Sequence, residues 1–150
     1  MSTVHHYPIR ISWKHDRLGE VTSSDTDTAL QVATPPAFPK GMAGYWSPEH
    51  LFTAAISSCL MTTFLAIAEN SQLSFQYFDC DAEGKLEQIE GKWLMTQVML
   101  FPRVVIMQEE DRAKADRILH KAKEACLISR SVKSEVLMQP TIEVAVAAEA

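Results

Sequence analysis

The sequence predicts an α+β fold, and three observations carry that expectation. Residues 47–70, SPEHLFTAAISSCLMTTFLAIAEN, are nearly all apolar and hold no Gly or Pro after their start. Residues 73–106 hold two long apolar runs separated by Glu90-Gly91, which reads as a strand hairpin. Residues 108–128 repeat apolar positions at spacings of three and four, the period of an amphipathic helix. The full order is strands, helix, two long strands, helix, strand. At 150 residues, with no linker or low-complexity run, one domain over residues 1–150 is expected.

Taken in order, Tyr7 to Trp13 alternates and carries Ile9, Ile11 and Trp13, which predicts a strand with one face toward a core. The polar run from Lys14 to Gly19 turns the chain into Glu20 to Ser24, completing a hairpin with Arg17 at its tip, by default a solvated loop cation. His5 and His6 lie near the start with no further Cys or His close enough to complete a metal site. Leu30 to Ala33 is a short third strand. Thr34 to Gly44 contains three prolines and two glycines, which excludes regular structure and makes it a rim loop feeding the long helix.

That helix has agreeing start signals: Ser47 as N-cap, Pro48 at the first helical position and the acid Glu49 in the first turn. Pro48 to Glu69 spans roughly 33 Å at 1.5 Å per residue, and Leu51 to Ala68 is free of charge, so both a membrane span and a buried core helix are open. Thr53, Ser57, Ser58, Thr62 and Thr63, the absence of a Lys/Arg cluster at either end, and a mean hydropathy of -0.06 for the chain favour the core. A helix apolar all round must be covered on every side, which makes a second subunit plausible.

Leu73 to Leu86, with Gly84 as a candidate bulge, and Lys92 to Ile106, with Pro102 suggesting an edge or bulge, form the long hairpin. Cys80 lies there between Asp79 and Asp81, which disfavour a thiolate, so it is assigned no catalytic role. Helix 108–128 directs Ala115, Ile118, Leu119, Ala122, Ala125 and Cys126 to the core, with acids leading and bases trailing as the helix dipole prefers. Thr141 to Ala147 ends the chain as a strand.

A net charge of -5 with scattered Lys and Arg supplies no basic patch for nucleic acid. The N-terminal residues lack the apolar segment of a secretory signal, so the expected compartment is the cytoplasm. Three cysteines, an odd number without close spacing, form neither a disulfide scaffold nor a C-x-x-C motif.

The constellation with chemical promise is Cys59 at the centre of one core helix and Cys126 on the inward face of the other. Peroxide reduction needs a thiolate that becomes a sulfenic acid and a second thiol that condenses with it. A mid-helix Cys59 gains nothing from a helix N-terminus and would need a delivered cation, with Arg17 or Lys40 the candidates. Arg is preferable for its permanent charge and planar fork. Glu49 at the helix mouth could orient it. Cys126, near the negative end of its helix, suits the resolving role.

Trp46 to Cys59, WSPEHLFTAAISSC, resembles the NPEEL-x-AA-x-x-x-C helix of the OsmC/Ohr family, and Ala122 to Ser129, AKEACLIS, resembles that family's A-x-x-x-CP-x-S helix end. Arg17 to Asp25 is similar to the R-x-G-x-x-x-S-x-D hairpin of the Ohr branch. The resemblance covers nearly the whole chain and implies an OsmC-like intertwined homodimer, with antiparallel sheets wrapped around long central helices and active sites at the dimer interface. It implies reduction of organic hydroperoxides, with Cys59 peroxidatic, Cys126 resolving and Glu49 holding the activating Arg17. A Cys59–Cys126 disulfide would be reopened by an external dithiol, of the dihydrolipoamide type, with no metal or flavin. The sequence departs from the family pattern at Leu127, where proline commonly follows the second cysteine, and at Lys40, where the OsmC branch often has arginine. The alternatives are a non-catalytic dimer of the same fold that binds an apolar small molecule, and a cysteine-based redox sensor.

Overall fold

In the computed structural model, which describes residues 3–146, the chain opens with a three-stranded antiparallel sheet in the order β1 (Arg10–His15), β2 (Leu18–Thr22), β3 (Leu30–Ala33). The expected first strand is displaced toward its C-terminal end, and Asp16, at φ 48°, makes the turn that leaves Arg17 at the hairpin tip. Trp46 continues the sheet through a parallel bridge to Val32, and its carbonyl accepts the Ala33 N–H at 2.8 Å. The apolar alternation of β1 does not lead into a core: Ile9, Ile11 and Trp13 are 67%, 63% and 76% exposed. Among the described residues up to Leu51, where the first of two compact units ends, the chain is helical only in its last turn and offers no helix to cover that face.

Helix α1 (Pro48–Asn70) starts on a reciprocal cap. Ser47 Oγ accepts the His50 N–H at 3.2 Å, His50 Nδ1 accepts the Ser47 N–H at 3.2 Å, and Oγ and Nδ1 stand 2.7 Å apart. This is a capping box in which an imidazole replaces the usual Glu or Gln at the third position. At the other end Gln72, at φ 56°, takes the left-handed conformation, and the Leu73 N–H reaches the Ala68 carbonyl at 2.9 Å, a Schellman closure. By length and composition the helix could cross a membrane. Within this chain it buries one stripe, Ile56, Cys59, Leu60, Phe64 and Ala68, and leaves Met61 and Leu65 exposed.

The second unit begins at Phe52. Strands β4 (Phe75–Ile89) and β5 (Lys92–Ile106) form a 15-residue antiparallel hairpin closed by Glu90 and Gly91, both at positive φ (50° and 78°), the two-residue turn whose twist matches its strands. The chain then runs through a 3-10 turn (Glu109–Asp111), helix α2 (Arg112–Ala125) and a second 3-10 turn (Ser129–Ser131), so the expected single helix is interrupted at both ends. Strand β6 (Glu135–Met138), too short to stand out in the sequence, pairs parallel with β5, as does β7 (Thr141–Val144). Of the expected last strand, Ala147 lies outside the described residues. The second sheet is therefore mixed, because the α2 crossover returns the chain in the direction of β5.

Pro102 is buried in a central strand rather than at an edge. Its position resolves the conflict: β6 pairs with Gln97 to Leu100 and β7 with Arg103 to Ile106, so Pro102 falls in the gap between the two ladders. Gly84 is not a bulge: it pairs in register with Val98, and the register shift comes between Lys85 and Leu86, where Thr96 of β5 is the extra residue. The core joins the α1 stripe to Val98, Leu100, Val104 and Ile106 of β5 and to Ala115, Ile118, Leu119 and Ala122 of α2. Phe64 anchors it against Phe75 and Phe78, with ring centroids 5.3 and 4.9 Å away.

Gly84 lets β4 approach α1 closely, since a Cβ there would collide with Thr53 Oγ1 and lie 2.7 Å from Met95 Cε. Gly84→Ala is therefore expected to destabilise the fold by about 1–3 kcal/mol in urea denaturation. Adding Thr53→Ala should recover part of the loss; equal additive losses would show that the approach is not tight.

Candidate functional site

Cys59 sits on the buried stripe of α1, one turn after Ile56 and one before Thr63. Cys126 is the C-cap of α2, where the backbone leaves the helix at φ -62°, ψ 110°. Both thiols are free, and Cys126 is near enough to Cys59 to shift its titration, the two helices sharing one core that includes Ile56 and Ala122. Cys59 is 9% exposed and Cys126 1%. Cys126 Sγ lies 4.0 Å from the Ile56 carbonyl, and Thr63 Oγ1 lies 3.9 Å from Cys59 Sγ.

The pair is electrostatically asymmetric. Burial pushes the Cys59 thiol up, but hydrogen bonds from Cys126, from the Ile128 backbone, from Thr63 and from the Leu127 backbone together bring it below its ordinary value. Cys126 is driven the other way, first by burial and then by its hydrogen bond to Cys59, and Ser129 only partly offsets this. The low thiol is thus served by neutral donors that converge on it where the chain turns out of α2. Cys126 comes out as the poorer thiolate through burial and its partner rather than through the helix dipole alone.

Three of these donors are absent from the sequence reading. Thr63 is four residues after Cys59 on one helix face, a signal that spacing alone could have supplied. The Leu127 and Ile128 N–H groups have no such signal, since backbone donors are placed by the path of the chain. Leu127 is also where the family pattern has proline, and a proline would lack this N–H. Cys80, by contrast, is half-buried and pushed up to about 11, by burial and by Asp81 and Asp79 beyond what the Phe101 backbone returns.

Arg17 and Glu49 belong to the first unit. Arg17 is exposed at the β1–β2 turn, and Glu49 is half-buried in the first turn of α1. Arg17 lines an apolar groove of about 630 Å³ with Ile11, Trp13, Leu18, Val32 and Pro48 among its walls. Lys40 is exposed in the rim loop at φ 63°. Among the described residues no cluster of three or more His, Cys, Asp or Glu is arranged to hold a metal ion.

The family model for OsmC-like protein matches residues 41–140. Uncharacterized protein YmaD of Bacillus subtilis is 25% identical over 143 residues, covering 90% of this chain and 91% of that one. Organic hydroperoxide resistance protein OhrB of the same organism is 23% identical over 134 residues, covering 87% and 93%. Among solved structures, the OsmC-like protein of unknown function VCA0330 from Vibrio cholerae superimposes with a TM-score of 0.82 at 25% identity, covering 91% of this chain and 99% of that one.

Two measurements follow from the thiol environments. Alkylation of Cys59 should rise with pH at a lower midpoint than that of an ordinary thiol. Cys126→Ala and Leu127→Pro should each move that midpoint up by removing a donor, the latter without distortion because Cys126 already has the extended backbone that precedes proline. An unmoved midpoint in both variants would remove these donors from the account. Cys80 acts on stability with the opposite sign. Its folded value is raised, so its contribution is complete below the ordinary thiol range near 9.0 and is lost as pH climbs through about 11. Denaturation midpoints of the parent should accordingly fall relative to Cys80→Ala over that interval.

Proposed function

The chain belongs to the OsmC-like family, related to organic hydroperoxide resistance proteins, and from that premise we propose that it is a thiol-dependent peroxidase reducing organic hydroperoxides to alcohols. The Cys59 thiolate attacks one peroxide oxygen, the O–O bond breaks, the alcohol departs with a proton, and Cys59 becomes a sulfenic acid. Cys126 then attacks that sulfur, displacing hydroxide, which leaves as water with the Cys126 proton, and a Cys59–Cys126 disulfide forms. An external dithiol of the dihydrolipoamide type reopens it by two exchange steps and carries away the two electrons as its own disulfide.

The observation that supports this reading is the asymmetric pair: two buried thiols that act on each other's charge, one brought down and the other pushed up. That is the division of labour between an attacking and a resolving thiol. Arg17 is assigned as the activating cation and Glu49 as the carboxylate that orients it, the guanidinium supplying the permanent charge that the neutral donors around Cys59 do not. An organic peroxide suits the apolar surroundings of Cys59, among them Leu60 and Phe52. We assign a cytoplasmic homodimer, neither membrane-bound nor nucleic-acid-binding. The apolar residues left uncovered on each unit, Ile11 and Trp13 on one and Met61 and Leu65 on the other, are the surface a second copy would cover.

One observation favours a second reading, non-catalytic binding of an apolar small molecule: the groove beside Arg17 is large enough for one. Thiol counting separates the two. One equivalent of an alkyl hydroperoxide added to the reduced protein should consume two thiols, Cys59 and Cys126, and spare Cys80. Cys59→Ser should abolish turnover with a dithiol donor, and Cys126→Ser should leave a sulfenic acid that dimedone traps. Three free thiols after peroxide treatment, or a Cys59→Ser protein as active as the parent, would overturn the peroxidase reading.

A further inference from the structure

The resolving sulfur is in the harsher environment of the two. Cys126 is 1% exposed, with the Ile56 carbonyl on one side and Cys59 on another. It must nevertheless carry negative charge twice in the proposed cycle. It does so first when it attacks the Cys59 sulfenic acid. It does so again when the disulfide opens, provided the reductant enters at Cys59, the more exposed sulfur. A buried thiolate without donors is costly, because water cannot replace the hydration it has lost.

One side chain is aimed at that sulfur. Ser129 Oγ donates to Cys126 Sγ at 3.3 Å. The turn that carries it is fixed from three directions. The Arg130 N–H donates to the Cys126 carbonyl at 3.1 Å, the Ser131 N–H to the Ile128 carbonyl at 2.9 Å, and the Ser131 hydroxyl to the Leu127 carbonyl at 2.8 Å. The hydroxyl is therefore held in place before any charge develops, the condition under which a donor stabilises a developing anion most.

Resting on the peroxidase reading, we propose that Ser129 is a catalytic residue of the resolving half-reaction, its hydroxyl stabilising the Cys126 thiolate as the disulfide closes and again as it opens. The same turn divides its donors between the two sulfurs. The Leu127 and Ile128 N–H groups serve Cys59, and the Ser129 hydroxyl and N–H serve Cys126. Closing the disulfide forms the S–S bond, expels hydroxide from the sulfenic acid and consumes the Cys126 proton as water. Opening it returns the electron pair of that bond to Cys126, where Ser129 receives the charge.

The test compares Ser129→Val with Ser129→Thr, which have nearly the same shape and differ in the hydroxyl, with Ser129→Ala as a third variant. In rapid-mixing experiments with an alkyl hydroperoxide, sulfenic acid formation at Cys59 should stay at the parental rate in all three. Disulfide closure at neutral pH should slow on the order of tenfold or more in the Val and Ala variants, recover in Thr, and be restored in Val by raising the pH. A second readout needs no peroxidase activity: in a Cys59→Ser, Cys80→Ser background, ultraviolet thiolate absorbance reports Cys126 alone. Its midpoint should rise on Ser129→Val and return on Ser129→Thr. Failure of the peroxidase reading would appear as no sulfenic acid in the parent, with the titration still deciding the role of Ser129. Equal closure rates and equal midpoints in the Val and Thr variants would overturn the proposal.

Discussion

The site depends on the packing of α1 against α2 and β5. Burying Ile56, Leu60, Phe64 and Ala68 against Val98, Leu100, Ile118, Leu119 and Ala122 aligns the two helices so that Cys59 and the C-cap of α2 meet. At about 25 cal/mol for each Å² of apolar surface removed from water, such a layer outweighs any single polar contact in the unit. The thiol pair is held in place by that layer rather than holding it together. Ala115 and Ala122 on the facing stripe matter for the same reason, since small side chains let α2 settle closely on the shared core.

With both sulfurs buried, their charges are decided by hydrogen bonds. Two buried thiols cannot both ionise, and whichever has more donors takes the negative charge. Cys59 has the Cys126 thiol, Thr63 and two backbone N–H groups, whereas Cys126 has Ser129. The departure at Leu127 bears directly on this balance. A backbone N–H is present where proline would have none, in the segment where the chain leaves α2.

Much of the fold was legible in the sequence because its signals are local. Ser47, Pro48 and Glu49 announce the start of α1, Glu90-Gly91 the hairpin turn, and the spacing of Ile118, Leu119 and Ala122 the buried face of α2. Three features were hidden, each for a physical reason. Strand β6 is four residues long and takes its partner from 38 positions earlier, so nothing nearby signals it. Pro102 looks like an edge marker because a sequence cannot show that two strands divide its neighbour's ladder between them. Ile11 and Trp13 alternate as core residues do, yet alternation says only that a face is apolar and not what covers it.

The candidate site divides along the same line. That Cys59 and Cys126 were the residues to watch, and that Cys80 between two aspartates was not, followed from residue type and helical period alone. Which thiol is lowered, by which donors, and how Ser129 comes to face Cys126 were decided by the tertiary structure. Those outcomes turn on where the chain goes after Ala125, and a backbone path that positions N–H groups leaves no mark in the identity of the residues that carry them.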